Sequence, residues 1–373
     1  MTQKIFFEEN ITSLAEEVNC LCPKTILCVT GSSSYAASGA KVLVDRLFGK
    51  YNIVSFNNFS VNPKLEELKN GIALCRDVEI DFIVAIGGGS VIDMAKLMRC
   101  YVNSSIELTE SVKTNKVPIK QKIPFAAIPT TAGSGSESTH FAVVYIDGNK
   151  YSLSHASILP DYVLLAPSLT YGSPSYLTAC SGADALCQAI ESYWSVQSTE
   201  ESRGYARRSI LLLWQYLSLA IENDFEARNK VMLAANLAGR AINISFTTAA
   251  HAYSYGLTTY AGIPHGHAVS LTLPYFFDLN MKVLQDNCND KRGAEFVKER
   301  IGELLYFLEC TTENAVAILS SFFYSIFGEM NDEAKERITS YIRGQVTLSV
   351  NVQRLQNNQA KVTKEDIEGI CFY

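Results

Sequence analysis

The chain has 373 residues, of which 47% are hydrophobic and 19% are charged. This length suggests about two domains, and the composition excludes a disordered chain or a coiled coil. The formal net charge of −6 argues against a nucleic-acid partner, which needs a basic surface. The longest apolar stretch, residues 209–221, is too short to cross a bilayer, so no membrane association is expected. Ten scattered cysteines without a C-x-x-C pair predict free thiols in a reducing compartment, the cytoplasm.

Four short apolar runs near the N-terminus predict strands that are buried on both faces of a parallel sheet. They occupy residues 25–30, 52–56, 82–86 and 125–128. A helix-like segment over residues 36–48 follows the first run, and helix-length segments separate the others, as in βαβ units. Residues 141–146 predict an additional strand that ends in a turn at Asp147-Gly148. The pattern predicts a doubly wound α/β domain.

After Pro167 the sequence changes character. Residues 175–245 and 268–373 are rich in helix formers, with a hydrophobic period near that of an α-helix, so we expect helices rather than strands there. The sequence therefore predicts an α/β domain over residues 1–167 and an all-α domain over residues 168–373.

A glycine-rich loop follows the third predicted strand. Three glycines stand directly before a helical segment, so the backbone can approach a bulky anion and the helix N-terminus can point its N–H groups at it. This arrangement predicts a site for the diphosphate of a dinucleotide. Its members are Gly87, Gly88, Gly89, Ser90, Asp93 and Lys96. The alternative is a tight turn that binds nothing, for which one glycine would be enough.

A second loop, residues 129–137, also follows a predicted strand and combines small residues with hydroxyl groups. Thr130, Thr131 and Ser134 suit contacts with the ribose or base of a nucleotide. Two such loops at adjacent strand ends mark the carboxyl edge of a sheet, where α/β folds bind cofactors.

Candidate metal ligands lie in the helical part of the chain. Asp184 and Gln188 are four residues apart and share one face of a predicted helix. His251 and His265 belong to a group of three histidines within residues 251–267, although the whole chain has only five. One carboxylate and two imidazoles predict a site for Fe²⁺ or Zn²⁺ with a position open to substrate. The alternative for each histidine is a structural role.

Two motifs resemble those of the iron-containing (group III) alcohol dehydrogenases. They are Gly-Gly-Gly-Ser-x-x-Asp-x-Ala-Lys at residues 87–96 and Pro-Thr-Thr-Ala-Gly-x-Gly-Ser-Glu at residues 129–137. The resemblance extends from about residue 20 to the end and includes residues 357–366. It implies a Rossmann-like domain that binds NAD(P)H, followed by an all-α domain that holds a divalent metal. This is the dehydroquinate synthase-like architecture, and the family further implies a homodimer.

The metal ligands of that family, one Asp and three His, correspond here to Asp184, Gln188, His251 and His265. Glutamine thus replaces one histidine, and its neutral amide oxygen is a weaker ligand for late transition metals than imidazole. Tyr255 stands where the family often has another histidine. The resemblance implies that the protein reduces an aldehyde to a primary alcohol and that Tyr255 or His267 supplies the proton.

Four further segments are similar to one branch of the family, the phosphonoacetaldehyde reductases (hydroxyethylphosphonate dehydrogenases), in which glutamine is expected at the second ligand position. They are residues 139–145, 184–195, 198–202 and 263–269. The similarity implies reduction of phosphonoacetaldehyde to 2-hydroxyethylphosphonate. A phosphonate needs cationic or N–H donors, and the candidates near the motifs are His140, Lys150, His155 and His267. Lys150 is equally suited to solvate a hairpin turn.

The residues after the first predicted strand bear on cofactor choice. Relatives in the family that prefer NAD often have Asp there, and a carboxylate at that point repels the 2′-phosphate of NADP. Here Gly31 and Ser32 follow Thr30, so NADP(H) is expected to be accepted. Three alternatives to a phosphonate reductase stay open. They are a general short-chain alcohol/aldehyde dehydrogenase, a metal-dependent lyase that uses NAD transiently, as in the sugar-phosphate cyclases, and a nucleotide-binding protein without catalysis.

Overall fold

A computed structural model describes residues 3–32, 34–102, 104–118, 123–344 and 352–370. The chain forms two compact units, residues 1–173 and 174–373. Residues 168–173, which the sequence places with the helical part, belong to the first of these units. Within the described ranges, no helix is both long enough and apolar enough to traverse a lipid bilayer.

The first unit is built on a six-stranded sheet in the order β1-β8-β5-β4-β2-β3, with every neighbouring pair parallel. The strands of this sheet are β1 (Lys4–Phe7), β2 (Thr25–Thr30), β3 (Asn52–Phe56), β4 (Phe82–Gly87), β5 (Phe125–Pro129) and β8 (Tyr162–Leu165). The four strands predicted from apolar runs are confirmed. The other two, β1 and β8, have only four residues each and pair with one another.

Alternate residues of the central strands pack into two separate hydrophobic clusters. Leu27, Ile83 and Phe125 belong to one cluster, whereas Ile26 and Phe82 belong to the other. The sheet is therefore covered on both faces, which explains why its strands are continuous apolar runs.

The described residues of the first unit also form six α-helices. They are α1 (Ile11–Leu21), α2 (Ser34–Ala37), α3 (Ala40–Phe48), α4 (Leu65–Leu74), α5 (Gly89–Tyr101) and α6 (Leu108–Lys113). The single helix predicted over residues 36–48 is divided into α2 and α3. The division falls at Gly39, whose φ of +80° is a left-handed conformation that an α-helix does not contain.

Strands β6 (Phe141–Ile146) and β7 (Asn149–Ser154) form a separate antiparallel hairpin. Asp147 and Gly148 both have positive φ, 50° and 78°, as a two-residue hairpin turn requires. The predicted strand and its turn are thus confirmed. The partner strand β7 was missed because only its Leu153 is fully buried, so it lacks a long apolar run.

The second unit is helical, as predicted. Its helices are α7 (Ser175–Trp194), α8 (Glu200–Ile221), α9 (Phe225–Ser245), α10 (Ala249–Tyr260), α11 (His265–Met281), α12 (Ala294–Phe307), α13 (Ala315–Phe327), α14 (Asp332–Gly344), α15 (Val352–Gln356) and α16 (Lys364–Glu368). Helix α7 packs against α8, α9 and α11 and is buried along most of its length. The α/β unit followed by a helical unit confirms the predicted fold class.

Candidate active site

The two predicted cofactor loops lie side by side at the carboxyl edge of the sheet. Gly87 at the end of β4 is paired in register with Pro129 at the end of β5, and the backbone N–H of Thr130 donates a hydrogen bond of 3.0 Å to the carbonyl of Gly87. The loop after β2, which contains Gly31 and Ser32, follows the neighbouring strand on the other side of β4. The chain order reverses between β2 and β4, which is where doubly wound sheets bind ligands.

Side chains would collide if the glycines of the first loop carried them. A Cβ atom on Gly89 would lie 2.7 Å from Oγ of Ser134, and one on Gly88 would lie 3.3 Å from Oγ1 of Thr131. Gly88 is also the N-cap of α5, so the first N–H groups of that helix follow the loop directly. The close approach of the two loops explains why glycines stand here. Without side chains, the backbone N–H groups at the start of α5 are also accessible to a phosphate group.

Asp93 and Lys96 lie on α5, and their side chains form hydrogen bonds with the second loop at Ser136. Lys96 is fully buried, and its Nζ donates to Oγ of Ser136 at 3.0 Å, Oγ1 of Thr139 at 3.0 Å and the carbonyl of Phe141 at 2.8 Å. Asp93 accepts from Oγ of Ser136 at 2.6 Å. Burial lowers the pKa of Lys96 to about 8, against the opposing charge of Asp93. These two residues connect the glycine loop to the hairpin.

Ser90 lies in the first turn of α5, directly after Gly89. Three of the four predicted phosphonate contacts lie on or beside the β6–β7 hairpin. Oγ of Ser90 accepts a hydrogen bond from the backbone N–H of Asn62 at 3.1 Å. The N–H of His155 donates to the carbonyl of His140 at 2.9 Å, so these two residues share the open end of the hairpin. Lys150 is exposed beside the turn, about 17 Å along the strand from His155. The structure therefore brings the two histidines together but not Lys150.

In the second unit, three helices bring the predicted metal ligands together. Asp184 comes from α7, His251 from α10 and His265 from the first turn of α11. Nε2 of His251 lies 3.2 Å from Oδ1 of Asp184, and Nε2 of His265 lies 3.7 Å from the same atom. One donor atom from each residue falls within 4.8 Å of the other two.

The donor set fits a divalent transition metal. Ligands bound about 2.0–2.1 Å from a tetrahedral Zn²⁺ are about 3.3 Å apart, which matches these separations, and imidazole with carboxylate suits Zn²⁺ or Fe²⁺. The side chains of Asp184 and His251 are 11% and 4% exposed, whereas His265 is 36% exposed. The cluster is therefore enclosed by protein on one side and open to solvent at His265, as a site with a substrate position requires.

Gln188 lies one helical turn after Asp184 and is buried. Its side chain forms a hydrogen bond with the carboxylate of Asp184. Burial acts to raise the pKa of Asp184, but hydrogen bonds from His251 and Gln188 and the charge of His265 outweigh it and lower the pKa. The fourth predicted ligand is thus adjacent to the other three.

Glu191 is a residue of this site that the sequence analysis missed. It is fully buried on α7, seven residues after Asp184 and therefore on the same face of the helix. Its Oε2 contacts Nδ1 of His251. Burial opposes the charge of His251, but Glu191 and Asp184 together raise the pKa of that imidazole to about 10. The signal available in the sequence was the spacing of three polar residues at 184, 188 and 191 within an apolar helix.

The two predicted proton donors have different surroundings. The ring of Tyr255 stacks on that of His265, with centroids 5.6 Å apart and an interplanar angle of 14°. His267 is buried, and its ring stacks on Phe327 with centroids 3.9 Å apart. Nδ1 of His267 lies 3.1 Å from the hydroxyl of Tyr176. Burial lowers the pKa of His267 to about 4, so this imidazole is neutral at pH 7.

Comparison with known families agrees with this geometry. The family model described as iron-containing alcohol dehydrogenase matches residues 2–167, and the model of the Fe-containing alcohol dehydrogenase family, C-terminal, matches residues 178–371. This chain belongs to the iron-containing alcohol dehydrogenase family. The cofactors of the family are NAD(P) and a divalent metal, in accord with the glycine loop and the Asp184–His251–His265 cluster.

Individual relatives are moderately similar to the chain. A probable alcohol dehydrogenase EutG of Escherichia coli (strain K12) is 34% identical over 229 residues, which are 60% of this chain and 58% of that protein. A phosphonoacetaldehyde reductase of Streptomyces viridochromogenes is 34% identical over 239 residues, 61% of this chain and 60% of that protein. The chain thus matches less than two thirds of the length of either relative.

Solved structures align over nearly the whole chain. An iron-containing alcohol dehydrogenase from Thermotoga maritima has a TM-score of 0.82 and 26% identity, covering 99% of this chain and 96% of that one. A sulfoacetaldehyde reductase from Bifidobacterium kashiwanohense, in complex with NAD⁺, has a TM-score of 0.76 and 26% identity, covering 98% and 95%.

Proposed function

We propose that this protein reduces an aldehyde to a primary alcohol with NAD(P)H, and that its substrate is phosphonoacetaldehyde, which would become 2-hydroxyethylphosphonate. The observation that carries the proposal is the convergence of Asp184, His251 and His265 beside Gln188 in a chain of this family. In the balanced reaction, the aldehyde carbon gains a hydride, the oxygen gains a proton and NAD(P)H becomes NAD(P)⁺.

The cofactor would be held by the loops at the carboxyl edge of the sheet. The loop at Gly88 and the N-terminus of α5 would receive the diphosphate, and Thr130, Thr131 and Ser134 would contact the nucleoside part. No carboxylate follows β2 at Gly31 and Ser32, so the 2′-phosphate of NADPH meets no repulsion there. Comparison of kcat/KM for NADPH and NADH tests this choice. A hundredfold preference for NADH would refute it.

The metal cluster would bind and activate the carbonyl end of the substrate. Asp184, Gln188, His251 and His265 would hold a divalent ion, which would supply Lewis-acid polarisation of the carbonyl, and bound NAD(P)H would supply the hydride. Asp184 contributes the negative charge of the donor set and holds the imidazoles of His251 and His265 within contact distance. The half-exposed side chain of His265 marks the side from which a small molecule reaches the cluster.

Tyr255 is the better candidate for the proton donor. Its ring lies directly against His265, whereas His267 is neutral, buried and in contact with the hydroxyl of Tyr176. A phenol can donate a hydrogen bond to a developing oxyanion and pass its proton on. His267 would instead contribute to the site through its contact with the hydroxyl of Tyr176.

The substrate assignment draws on two relatives whose names contain a two-carbon aldehyde with an acidic head group. They are the phosphonoacetaldehyde reductase and the sulfoacetaldehyde reductase. We propose that Lys150 meets the phosphonate. His140 and His155 are the alternative contacts, because they lie about 17 Å along the strand from Lys150 and one phosphonate cannot contact both ends of the hairpin. A general short-chain dehydrogenase is the alternative, in line with the EutG relative.

The test is NADPH oxidation by the purified protein with phosphonoacetaldehyde, sulfoacetaldehyde and propanal. We expect kcat/KM for phosphonoacetaldehyde to exceed that for propanal by at least about 100-fold, because a paired dianion contributes several kcal/mol of binding. Equal values would indicate a general short-chain dehydrogenase. A preference for sulfoacetaldehyde would indicate that the substrate carries a sulfonate rather than a phosphonate. Net consumption of NADPH also separates a reductase from a cyclase, which regenerates its cofactor.

A variant pair addresses the head-group contact directly. Lys150→Met is expected to raise KM for phosphonoacetaldehyde at least tenfold and to leave propanal reduction unchanged. Lys41→Met is the matched control, because Lys41 is an exposed lysine of the same unit that forms an ion pair with Asp45 on the same helix. Equal behaviour of the two variants would assign Lys150 to the hairpin turn alone.

We also propose that the protein is a cytoplasmic homodimer. All nine cysteines within the described ranges are free thiols, as expected for a reducing compartment. Light scattering on the purified protein would measure the oligomeric state, and a monomer would contradict the proposal.

A further inference from the structure

Glu191 has no role in the proposed reaction, yet its carboxylate is one of the most completely enclosed polar groups of the second unit. Its side chain is 0% exposed. Oε1 accepts hydrogen bonds from the backbone N–H of Thr248 at 3.1 Å, from Oγ1 of Thr248 at 2.8 Å and from the backbone N–H of His251 at 3.2 Å. Oε2 contacts Nδ1 of His251. A buried carboxylate is retained only where it is well paired.

These contacts fix which nitrogen of His251 is free to bind a metal. Because Glu191 only accepts, Nδ1 of His251 must carry the proton of their shared contact. When the ring gives up its second proton to bind a metal, the lone pair is therefore on Nε2, the atom that lies 3.2 Å from Oδ1 of Asp184. Resting on the metal site of the proposed function, we infer that Glu191 is a positioning residue that sets the tautomer and orientation of His251 for metal binding.

The same carboxylate connects the ligand to the helix that carries it. Thr248 is the N-cap of α10, and no side chain of its own caps that helix. Oε1 of Glu191 caps the helix instead, because it accepts hydrogen bonds from the backbone N–H groups of Thr248 and His251. One carboxylate from α7 therefore fixes both the start of α10 and an imidazole in the first turn of that helix. Outer partners of this kind hold metal-binding histidines in many metal sites.

The variant Glu191→Gln separates the two tasks. Its amide oxygen can still accept from Thr248 and from the backbone of His251, so the helix cap remains. Its NH₂ group would then face Nδ1, which must become an acceptor, and the proton of the neutral ring moves to Nε2. The shape of the side chain is nearly unchanged, but the nitrogen that faces the cluster would no longer offer a lone pair.

The experiment is a competition titration of metal-free protein with Zn²⁺ and a chromogenic chelator. Glu191→Gln is expected to raise the Zn²⁺ dissociation constant by about 10- to 100-fold. Ser192→Ala is the matched control, because Ser192 is the next buried residue of α7 and its hydroxyl forms a hydrogen bond with that of Ser245. It is expected to bind Zn²⁺ as the wild type does. Equal dissociation constants for Glu191→Gln and wild type would overturn the inference.

If Glu191→Gln does not fold, a second pair decides. Thr248→Val removes one donor to Glu191 and the acceptor of the Trp194 indole N–H, and Thr248→Ser retains both. We expect Thr248→Val to weaken Zn²⁺ binding about threefold or more and Thr248→Ser to restore it, and an unchanged constant in Thr248→Val would overturn the inference. A wild type that binds no Zn²⁺ would overturn both this inference and the metal part of the proposed function. If wild type and Glu191→Gln both bind Zn²⁺ with the same dissociation constant, only the inference about Glu191 is overturned and the metal site remains.

Discussion

Nε2 of His265, the first residue of α11, lies 3.7 Å from Oδ1 of Asp184. Because His265 is the most exposed member of the cluster, its removal should disturb the fold least. We predict that His265→Ala keeps its thermal unfolding midpoint but loses more than about 100-fold in turnover, since a lost ligand should cost more than a lost outer partner. The measurement is NADPH oxidation together with the metal content of the protein.

Lys282→Ala provides the control for that experiment. Lys282 follows the same helix and forms an exposed ion pair with Asp278, so its loss should change neither metal content nor turnover. If His265→Ala retained wild-type metal content and activity, the cluster would have no part in the reaction.

A substitution at Gln188 is expected to increase the affinity of the cluster for Zn²⁺. Gln188 stands beside Asp184 at a position where the family has histidine, and imidazole binds late transition metals more tightly than an amide oxygen. We predict that Gln188→His lowers the Zn²⁺ dissociation constant by about tenfold or more, as measured by chelator competition. Gln188→Asn, which keeps the amide but shortens the side chain, should raise it. An identical constant in Gln188→His and wild type would place residue 188 outside the coordination sphere.

The glycine loop predicts a steric effect on cofactor binding. A methyl group on Gly89 would lie 2.7 Å from Oγ and 3.1 Å from Cβ of Ser134, so the Ser134 side chain must rotate and its loop must shift slightly away from the glycine loop. We predict that Gly89→Ala raises the NADPH dissociation constant at least about tenfold, equivalent to about 1.4 kcal/mol. Fluorescence titration of NADPH would measure it.

Gly204→Ala is the matched glycine control. Gly204 lies on α8, and a Cβ atom there would have no neighbour within 4 Å. Alanine should stabilise the exposed helix by about 0.5–1 kcal/mol and leave NADPH binding unchanged. NADPH binding to Gly89→Ala with wild-type affinity would show that the loop tolerates a side chain and does not approach the cofactor.

Lys96 predicts a dependence of stability on pH. Burial lowers its pKa to about 8 in the folded protein, from an ordinary value of 10.5. Between these two values the unfolded chain binds more protons than the folded one, so this residue makes stability rise with pH by about 1 kcal/mol per unit. Urea unfolding of wild type and Lys96→Met from pH 7 to pH 10 would isolate the effect. A difference between the two proteins that stays constant above pH 8 would contradict it.

Much of the fold could be predicted from the sequence because its pattern is strong. The continuous apolar runs at β2 and β4 are too short for a typical helix and end at glycine, which favours strands covered on both faces. Strands β1 and β7 could not be found in this way. The first is a four-residue edge strand, and the second has one face in solvent, so neither contains enough apolar residues to stand out.

The metal cluster was predictable from residue type and spacing, but its support was not. Asp184, Gln188 and the two histidines carry chemistry that can be recognised in a chain with few histidines. The contact between Glu191 and His251 depends on how α7 packs against α10, and no local pattern encodes that packing. The same holds for Lys96, whose three acceptors come from a later loop and the hairpin.

The most direct test of the account is the metal dependence of carbonyl reduction. The measurement is NADPH oxidation with phosphonoacetaldehyde before chelation, after verified removal of metal, and after addition of Fe²⁺ or Zn²⁺. We predict that activity falls by more than about 100-fold on metal removal and returns with the added ion. Full activity in the verified metal-free protein would contradict a catalytic metal held by Asp184, His251 and His265.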